Sequence, residues 1–359
     1  MEKRVDFFLL FVFVVLLFLG ILILASVSSP ISLEKFGTPF YYLIHQLLFG
    51  ILPGIFLGTI AFKVDFKLLK KYSLFGLLFF LGLSSLVFLP TFRLKLGGGA
   101  RWIKVGPIVF QPSEFLKLAF CIYLAAWLSS PKDFGIFQTF LAFVVLLSAI
   151  CLIFIFQPDI STLGIIMITS LVMFFLAKTP LWQTIFLILM SLLIFSPIVI
   201  SAPYRLSRIL VFLNPEIDPM GIGYQIRQSL IAIGSGKIFG KGLGLSQQKF
   251  GILPKTFSDL AFAVFAEETG FLGAIFLISL YLIFFFRSFK IGSEKRDEFS
   301  KLLAFGISFW IVFQAFFHIG SNIGVLPLSG IPLPFISYGG SHLVSEIIGT
   351  SLLLKITKK

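Results

Sequence analysis

Residues 7–27 read FFLLFVFVVLLFLGILILASV, and the first 18 of them contain no polar side chain. A helix rises about 1.5 Å per residue, so a run of this length comes close to crossing the roughly 30 Å hydrocarbon core of a bilayer. The run follows Met1-Glu2-Lys3-Arg4 and is longer than a usual signal-peptide core, which predicts a retained span. Comparable runs recur at 38–62, 73–89, 114–130, 136–156, 160–177, 181–201, 259–286, 302–320 and 343–354. They lack the short alternating segments of a barrel. The expected fold is an all-α polytopic membrane protein, one integral membrane domain over residues 1–359 with about ten transmembrane helices. Composition agrees: 58% hydrophobic and 13% charged residues leave too little charge to cover a water-facing surface.

One long interruption, polar and rich in glycine, covers residues 204–266 and ends near Asp259. It supplies a predicted extracytoplasmic loop, 202–258, between spans seven and eight. With the amino terminus placed in the cytoplasm, the short inner segments hold 16 of the 29 Lys and Arg residues and the outer segments twelve. That bias predicts both termini inside. Eleven of the twelve outer charges fall in two loops, and long loops such as 202–258 escape the charge rule. Loop 91–111 is short, yet it carries Arg93, Lys95, Arg101 and Lys104 with no acid. Such a loop opposes its own translocation, which points to selection for an anionic ligand, with a diphosphate on a lipid carrier the natural candidate.

Ionisable residues within or at the edges of the apolar runs are few: Glu114, Lys117, Asp159, Asp259, Glu267, Glu268 and Glu346, with His45 and His318. Charge is costly in hydrocarbon, so each is a functional candidate. Glu114 and Lys117 share a helix face at a spacing of three, where they serve a site or simply neutralise each other. Asp159 follows Pro158 and is placed to cap the next helix. Asp259 opens the eighth run, where it either reacts or caps. Cys121 and Cys151 lie in apolar runs and form no disulfide framework, and three scattered histidines make no zinc motif. The glycines at 234–244 lack a preceding strand and a Walker lysine-serine pair, which argues against nucleotide binding. Basic charge divided between two membrane faces is no nucleic-acid footprint, so no nucleic acid is expected as a partner.

Several ordered motifs carry a resemblance. They are Gly99-Ala100-Arg101-Trp102-Ile103, Gln111-Pro112-Ser113-Glu114 with Lys117, and Gln157-Pro158-Asp159. Next come Arg205 and Arg208 before Phe212-Leu213-Asn214-Pro215, then Gly240-Lys241-Gly242-Leu243-Gly244 with Ser246, Gln248 and Lys249. Asp259, Ala266-Glu267-Glu268, and Pro332-Leu333-Pro334-Phe335-Ile336-Ser337-Tyr338-Gly339-Gly340-Ser341 complete the set. From first span to last the chain resembles the SEDS family of shape, elongation, division and sporulation proteins. The pattern at 242–249 looks like the division, FtsW-type branch, whereas 330–335 is equally at home in the elongation, RodA-type branch. The division branch is expected.

What the resemblance implies is a glycosyltransferase of the bacterial cytoplasmic membrane that polymerises lipid II into peptidoglycan on the outer face. It implies Asp259 as catalytic residue, either a general base or the holder of a divalent cation (Mg or Mn), and no organic cofactor. Glu114, Lys117 and Asp159 correspond to polar cavity residues and Arg101 to a phosphate contact. Lys104, Arg205, Arg208, Gln248, Lys249 and Ser337 are further substrate-binding candidates. Implied partners are lipid II, undecaprenyl-diphosphate-linked glycan, a class B penicillin-binding transpeptidase, and other divisome or elongasome membrane proteins. Gly320, Gly324 and Gly349 offer a candidate docking face for such a partner. One departure stands out: the family commonly reads Leu-Pro-Glu-x-His-Thr-Asp, and this chain places Lys255 and Phe257 at the acid and histidine positions. A flippase for lipid-linked precursors and a noncatalytic scaffold are the competing readings.

Overall fold

The computed structural model describes residues 5–96, 99–106, 108–130, 135–200, 203–218, 220–250 and 257–358. All ten apolar runs are helical. The first is α1 (Phe7–Phe36), capped by the Asp6 carboxylate on the Leu9 N–H at 2.9 Å and closed by Gly37 at φ 70°. The second combines α2 (Tyr41–Gln46), a π-helical turn over Leu47–Ile51, and α3 (Leu52–Lys63). Pro53 lacks an N–H, so the helical ladder cannot run evenly through this stretch. A short α4 (Phe66–Lys71) precedes α5 (Ser73–Ser85). The remaining apolar helices are α6 (Pro112–Leu128), α7 (Ile136–Phe156), α8 (Ile160–Leu176), α9 (Leu181–Ile200), α12 (Ala261–Ser293), α13 (Glu298–Asn322) and α14 (Gly340–Thr357). Five helical stretches, Phe7–Phe36, Tyr41–Lys63, Phe137–Phe156, Ala261–Ser293 and Glu298–Asn322, are long and apolar enough to cross a membrane, and three shorter apolar helices accompany them. The chain is a multi-pass helical membrane protein.

Helices α6, α8, α12 and α14 pack around α13, which buries Trp310, Leu303, Ile307 and Ile311 at 0–1% exposure. Apolar faces alone do not hold helices together in lipid, where close backbone approach matters more. Between α3 and α14 that approach comes from Gly50, Gly54 and Gly58, one stripe at a spacing of four. A Cβ on Gly54 would stand 2.6 Å from Ile347 Cδ1, and one on Gly58 2.5 Å from Ser351 Oγ. Of the glycines expected as a docking face, Gly320 and Gly349 are packed within the chain, whereas Gly324, at φ 73°, has only Leu230 within 4 Å of an added Cβ. Added Cβ atoms on Gly320 and Gly349 would meet Leu326, and Ile307 with Trp310, respectively.

The two polar segments are ordered. Basic loop 91–111 folds as an antiparallel sheet, β1 (Arg93–Leu96), β2 (Gly99–Val105) and β3 (Ile108–Phe110), with Ile103 opposite both Arg93 and Phe110. This is the sheet among the described residues that adds strands to an otherwise helical frame. Its backbone groups pair with each other, and Ile103 is 1% exposed. Segment 202–258, expected as a loop, contains α10 (Pro203–Leu213) and α11 (Ile222–Ser235).

After α11 the chain plugs a break in α12. Gly270 adopts φ 69° and ψ −166°, a conformation open essentially to glycine, and interrupts the helix ladder there. The freed groups are met by the glycine-rich segment: Phe271 and Leu272 N–H donate to the carbonyls of Lys237 and Ile238 at 2.8 and 3.1 Å. In return Lys241 and Gly242 N–H donate to the carbonyls of Glu267 and Glu268, each at 3.0 Å. A Cβ on Gly240 would lie 2.2 Å from the Glu268 carbonyl oxygen, so only glycine fits. Far along α12, Arg287 bonds Asp6 through Nε at 2.9 Å, and the Asp6 N–H donates to Thr357 Oγ1 at 3.0 Å. Burial alone would raise the Asp6 carboxyl, but the Arg287 guanidinium and the Leu9 N–H outweigh it and hold it below the usual carboxylate range.

Candidate active site

Asp259 sits one residue before the α12 N-cap, on a backbone pinned from three directions. Tyr338 N–H donates to the Phe257 carbonyl at 2.9 Å, and Ser337 Oγ to the Ser258 carbonyl at 2.7 Å. Asn322 Nδ2, at the end of α13, donates to the Asp259 carbonyl at 3.1 Å. The other face of that amide does the capping: Asn322 Oδ1 accepts from the Ala263 N–H at 3.3 Å, while the N-cap Leu260 has no polar side chain to offer. Asn322 thus shares in capping α12 at Ala263, whose N–H also donates to the Leu260 carbonyl at 3.1 Å.

The segment borders a cavity of about 460 Å3. Among the described residues its charged lining consists of Asp259, Glu114, Lys117, Asp159, Arg101 and Arg208, three acids against three bases. Gly330, at φ 70°, leaves room for the Asp259 carboxylate: a Cβ there would stand 3.6 Å from Oδ2. Asp159 caps α8 through the Thr162 N–H at 3.5 Å and accepts from Gln111 Nε2 at 3.3 Å. Arg101, carried on β2, reaches Asp159 Oδ1 at 3.4 Å and the Pro158 carbonyl at 2.5 Å. The basic sheet is therefore tied to the α7–α8 turn by a guanidinium fork.

Glu114 lies in the first turn of α6, where the helix dipole favours an acid, and pairs with Lys117 at 2.8 Å. Both are at most 3% exposed. Lys117 also donates to Gln314 Oε1 at 2.8 Å and lies 5.2 Å from the Trp310 ring. Gln314 passes the network inward, donating to Glu346 Oε1 at 3.3 Å and to the Pro332 carbonyl at 3.0 Å. Gln314 was missed in the sequence, although an amide inside an apolar run was the available signal. Beside the cavity opens a second one of about 270 Å3 that shares Arg101, Ser161, Arg208 and Ser329, adds Arg205 at its edge, and is otherwise walled by apolar residues such as Ile165, Phe313, Phe317 and Leu328.

The structure brings Asp259, Arg101, Glu114, Lys117, Asp159, Arg205 and Arg208 to these two joined cavities. It places four other candidates elsewhere. Lys249 is 3% exposed and bonds Glu268 Oε1 at 2.8 Å and Ser26 Oγ at 2.9 Å. Gln248 lies beside it, its N–H on Glu267 Oε2 at 3.4 Å. These belong to an ion-pair cluster, completed by Lys241 on Glu267 at 2.6 Å, that fastens the glycine-rich segment to α12 and α1. Ser337 is 0% exposed and holds the backbone before Asp259. Lys104 is exposed on β2, opposite Val109 and outside both linings. Lys255 lies outside the described residues. Phe257, which stands where the family commonly has histidine, lines the cavity and stacks on Tyr42 at 4.9 Å.

Among the described residues, no group of three His, Cys, Asp or Glu side chains gathers as metal ligands. Asp159 and Glu114 pair with Arg101 and Lys117, and Asp259 borders the same cavity, so it is the acid through which a cation, if bound, would meet a substrate there. One carboxylate suits magnesium, which keeps its waters and takes the rest of its shell from substrate phosphates.

A multi-pass helical frame with a charged cavity between a pinned aspartate and an arginine-bearing sheet defines the class. The chain belongs to the family FTSW_RODA_SPOVE, described as cell cycle proteins, whose model matches residues 7–359. It is 40% identical to a probable peptidoglycan glycosyltransferase FtsW of Coxiella burnetii, over 95% of this chain and 93% of that protein. It is 36% identical to stage V sporulation protein E of Bacillus subtilis, over 98% and 97% of the two chains. In fold it is similar to a chain of a solved peptidoglycan synthase complex, with a TM-score of 0.79, 23% identity and 99% and 98% coverage. The rod shape determining protein RodA of Thermus thermophilus matches with a TM-score of 0.71, 22% identity and 99% and 97% coverage.

Proposed function

We propose that this protein is a peptidoglycan glycosyltransferase that polymerises lipid II on the outer face of the bacterial cytoplasmic membrane, in the division branch of its family. The observation that carries the reading is the joining of two cavities at Arg101 and Arg208: a charged one bordered by Asp259, and an apolar one edged by Arg101, Arg205 and Arg208. A ligand with a charged head and a long apolar tail matches both. Relatives named FtsW support the division branch over elongation.

In this mechanism the acceptor's 4-hydroxyl gives its proton to the Asp259 carboxylate as its oxygen bonds to the donor's anomeric carbon. The bond from that carbon to the diphosphate oxygen breaks, and the electron pair leaves with the polyprenyl diphosphate. Arg101 and Arg208 stabilise the growing negative charge, with Arg205 at the groove edge. Glu114 and Lys117 form a neutralised pair on the cavity wall, placed to bond the substrate's polar groups. A Mg or Mn ion held by Asp259, when bound, would supply further neutralisation of the diphosphate. The solved peptidoglycan synthase complex supports a class B transpeptidase as partner.

Purified protein, alone and with its cognate transpeptidase, is to be supplied with lipid II and the products resolved by length. Glycan strands made by either preparation support the reading. Transbilayer movement of lipid II in vesicles without strand formation would favour a flippase, and neither activity would leave a scaffold.

A further inference from the structure

Aromatic rings form an unbroken path from the cavity to the surface. It starts at Phe257, two residues before Asp259 in the cavity lining, whose ring stacks on Tyr42 at 4.9 Å and meets Tyr338 edge-on at 5.7 Å. Tyr338 OH lies 2.9 Å from His45 Nδ1, which fixes that ring's position. From Tyr42 the path continues to Phe36 at 5.6 Å and Tyr41 at 5.7 Å, and those two stack on each other at 3.6 Å with an interplanar angle of 12°. Phe36 and Tyr41 are 43% and 40% exposed, at the turn between α1 and α2. The turn itself is fixed: Ser32 Oγ donates to the Thr38 carbonyl at 2.7 Å and accepts from the Tyr41 N–H at 3.0 Å. Rings held against one another in this way lose little freedom when a ligand arrives.

We propose that this path is a product subsite that holds the growing glycan strand as it leaves the cavity. The inference rests on the glycosyltransferase reading above. A pyranose ring presents a face of C–H bonds, weakly positive, and an aromatic ring presents a negative π face, so the two stack. Tyrosine hydroxyls bond the sugar's own hydroxyls at the rim. Such contacts are sequence-independent along a repeating polymer, which suits a strand that must be held while it slides. The competing account is an interfacial belt, in which the same rings anchor the helix ends at the headgroup level. A belt has no reason to begin inside the cavity at Phe257. It also predicts that leucine at positions 36 and 41 leaves strand length unchanged, because anchoring at the headgroup level does not touch the product.

The test compares strand lengths made from lipid II by the full-length wild-type protein and by the double variants Phe36→Leu with Tyr41→Leu, and Phe36→Tyr with Tyr41→Phe. At matched substrate consumption, the leucine pair is expected to make strands roughly two- to tenfold shorter, because losing one sugar-stacking platform, the stacked Phe36–Tyr41 pair, speeds release by about that factor. The aromatic-for-aromatic pair is expected to keep the wild-type length and shows that the turn tolerates substitution. Wild-type lengths from the leucine pair would overturn the subsite and leave a belt. A wild-type protein that makes no strands under any condition would overturn the enzymatic reading, and this inference with it.

Discussion

A carboxylate that caps a helix and a carboxylate that takes a proton respond differently to amidation. Asparagine caps as well as aspartate, so a capping Asp259 would tolerate Asp259→Asn. Because asparagine keeps any capping contact and Asn322 also meets the Ala263 N–H, the substitution is expected to leave the fold intact and to cut strand formation by about 10²–10⁴-fold, the usual worth of a general base. Glycan synthesis by the membrane-inserted variant measures it, and near-normal synthesis would remove Asp259 from the chemistry. Arg101 poses a second question at this scale, since its fork already spans Asp159 and the Pro158 carbonyl. Arg101→Ala is expected to raise the lipid II concentration needed for half-maximal synthesis, and Arg101→Lys to raise it less, because charge survives while the fork is lost. An apparent affinity unchanged from wild type in Arg101→Ala would confine Arg101 to tying β2 to the α7–α8 turn. Such residues were legible in the sequence because a charge set in apolar surroundings announces itself. Lys249 was misleading for the same reason. Its partners, Glu268 and Ser26, lie 19 and 223 positions away, and no local pattern distinguishes a charge paired that way from one offered to a ligand.

Helix ends and breaks decide the next scale. The apolar runs gave their own positions away because lipid leaves the backbone no alternative to helix. The sheet at 93–110 was less visible: only Arg93-Leu94-Lys95-Leu96 alternates cleanly, and short strands carry little periodic signal. The break in α12 was hidden for a different reason. Gly270 reads as one more glycine in a membrane helix, and its role depends on carbonyls of Lys237 and Ile238 far upstream. Gly270→Ala forces a left-handed conformation on a residue with a Cβ and drives that atom to within 2.3 Å of Gly240 N. A cost of about 1–3 kcal/mol for the backbone alone is expected, with more from the clash. Thermal unfolding of the purified variant should show a clearly lowered midpoint, whereas Gly76→Ala on α5, which meets nothing within 4 Å, should not. An unchanged midpoint for Gly270→Ala would mean that the segment 237–242 does not hold the break open.

At the scale of the whole molecule, α12 measures the distance between the two ends. Asp259 precedes its first turn, and Arg287, near its last, bonds Asp6, whose N–H reaches Thr357. Beyond the break at Gly270, the 17 positions to Arg287 correspond to about 25 Å of helix, most of the roughly 30 Å hydrocarbon core, with Asp259 on the far side of the break. The described ends of the chain, joined through Asp6 and Thr357, are therefore expected on one face and Asp259 on the other. Which face is outside follows from charge: the short segments on the side of Asp6 and Thr357 hold most of the lysine and arginine, so that side is expected in the cytoplasm. Cysteine labelling with a membrane-impermeant maleimide decides it, and the structure selects the positions. Ser246, attractive from sequence as a marker for the 202–258 segment, is 0% exposed, whereas Met220 in the same segment is 89% exposed. Met220→Cys should label in intact cells and Lys358→Cys only after lysis, with the wild-type chain setting the background from Cys121 and Cys151. The reverse pattern would put Asp259 and its cavity in the cytoplasm, where a polymerase would have no route to deliver its strand to the wall, and the proposed reaction would fall with the topology.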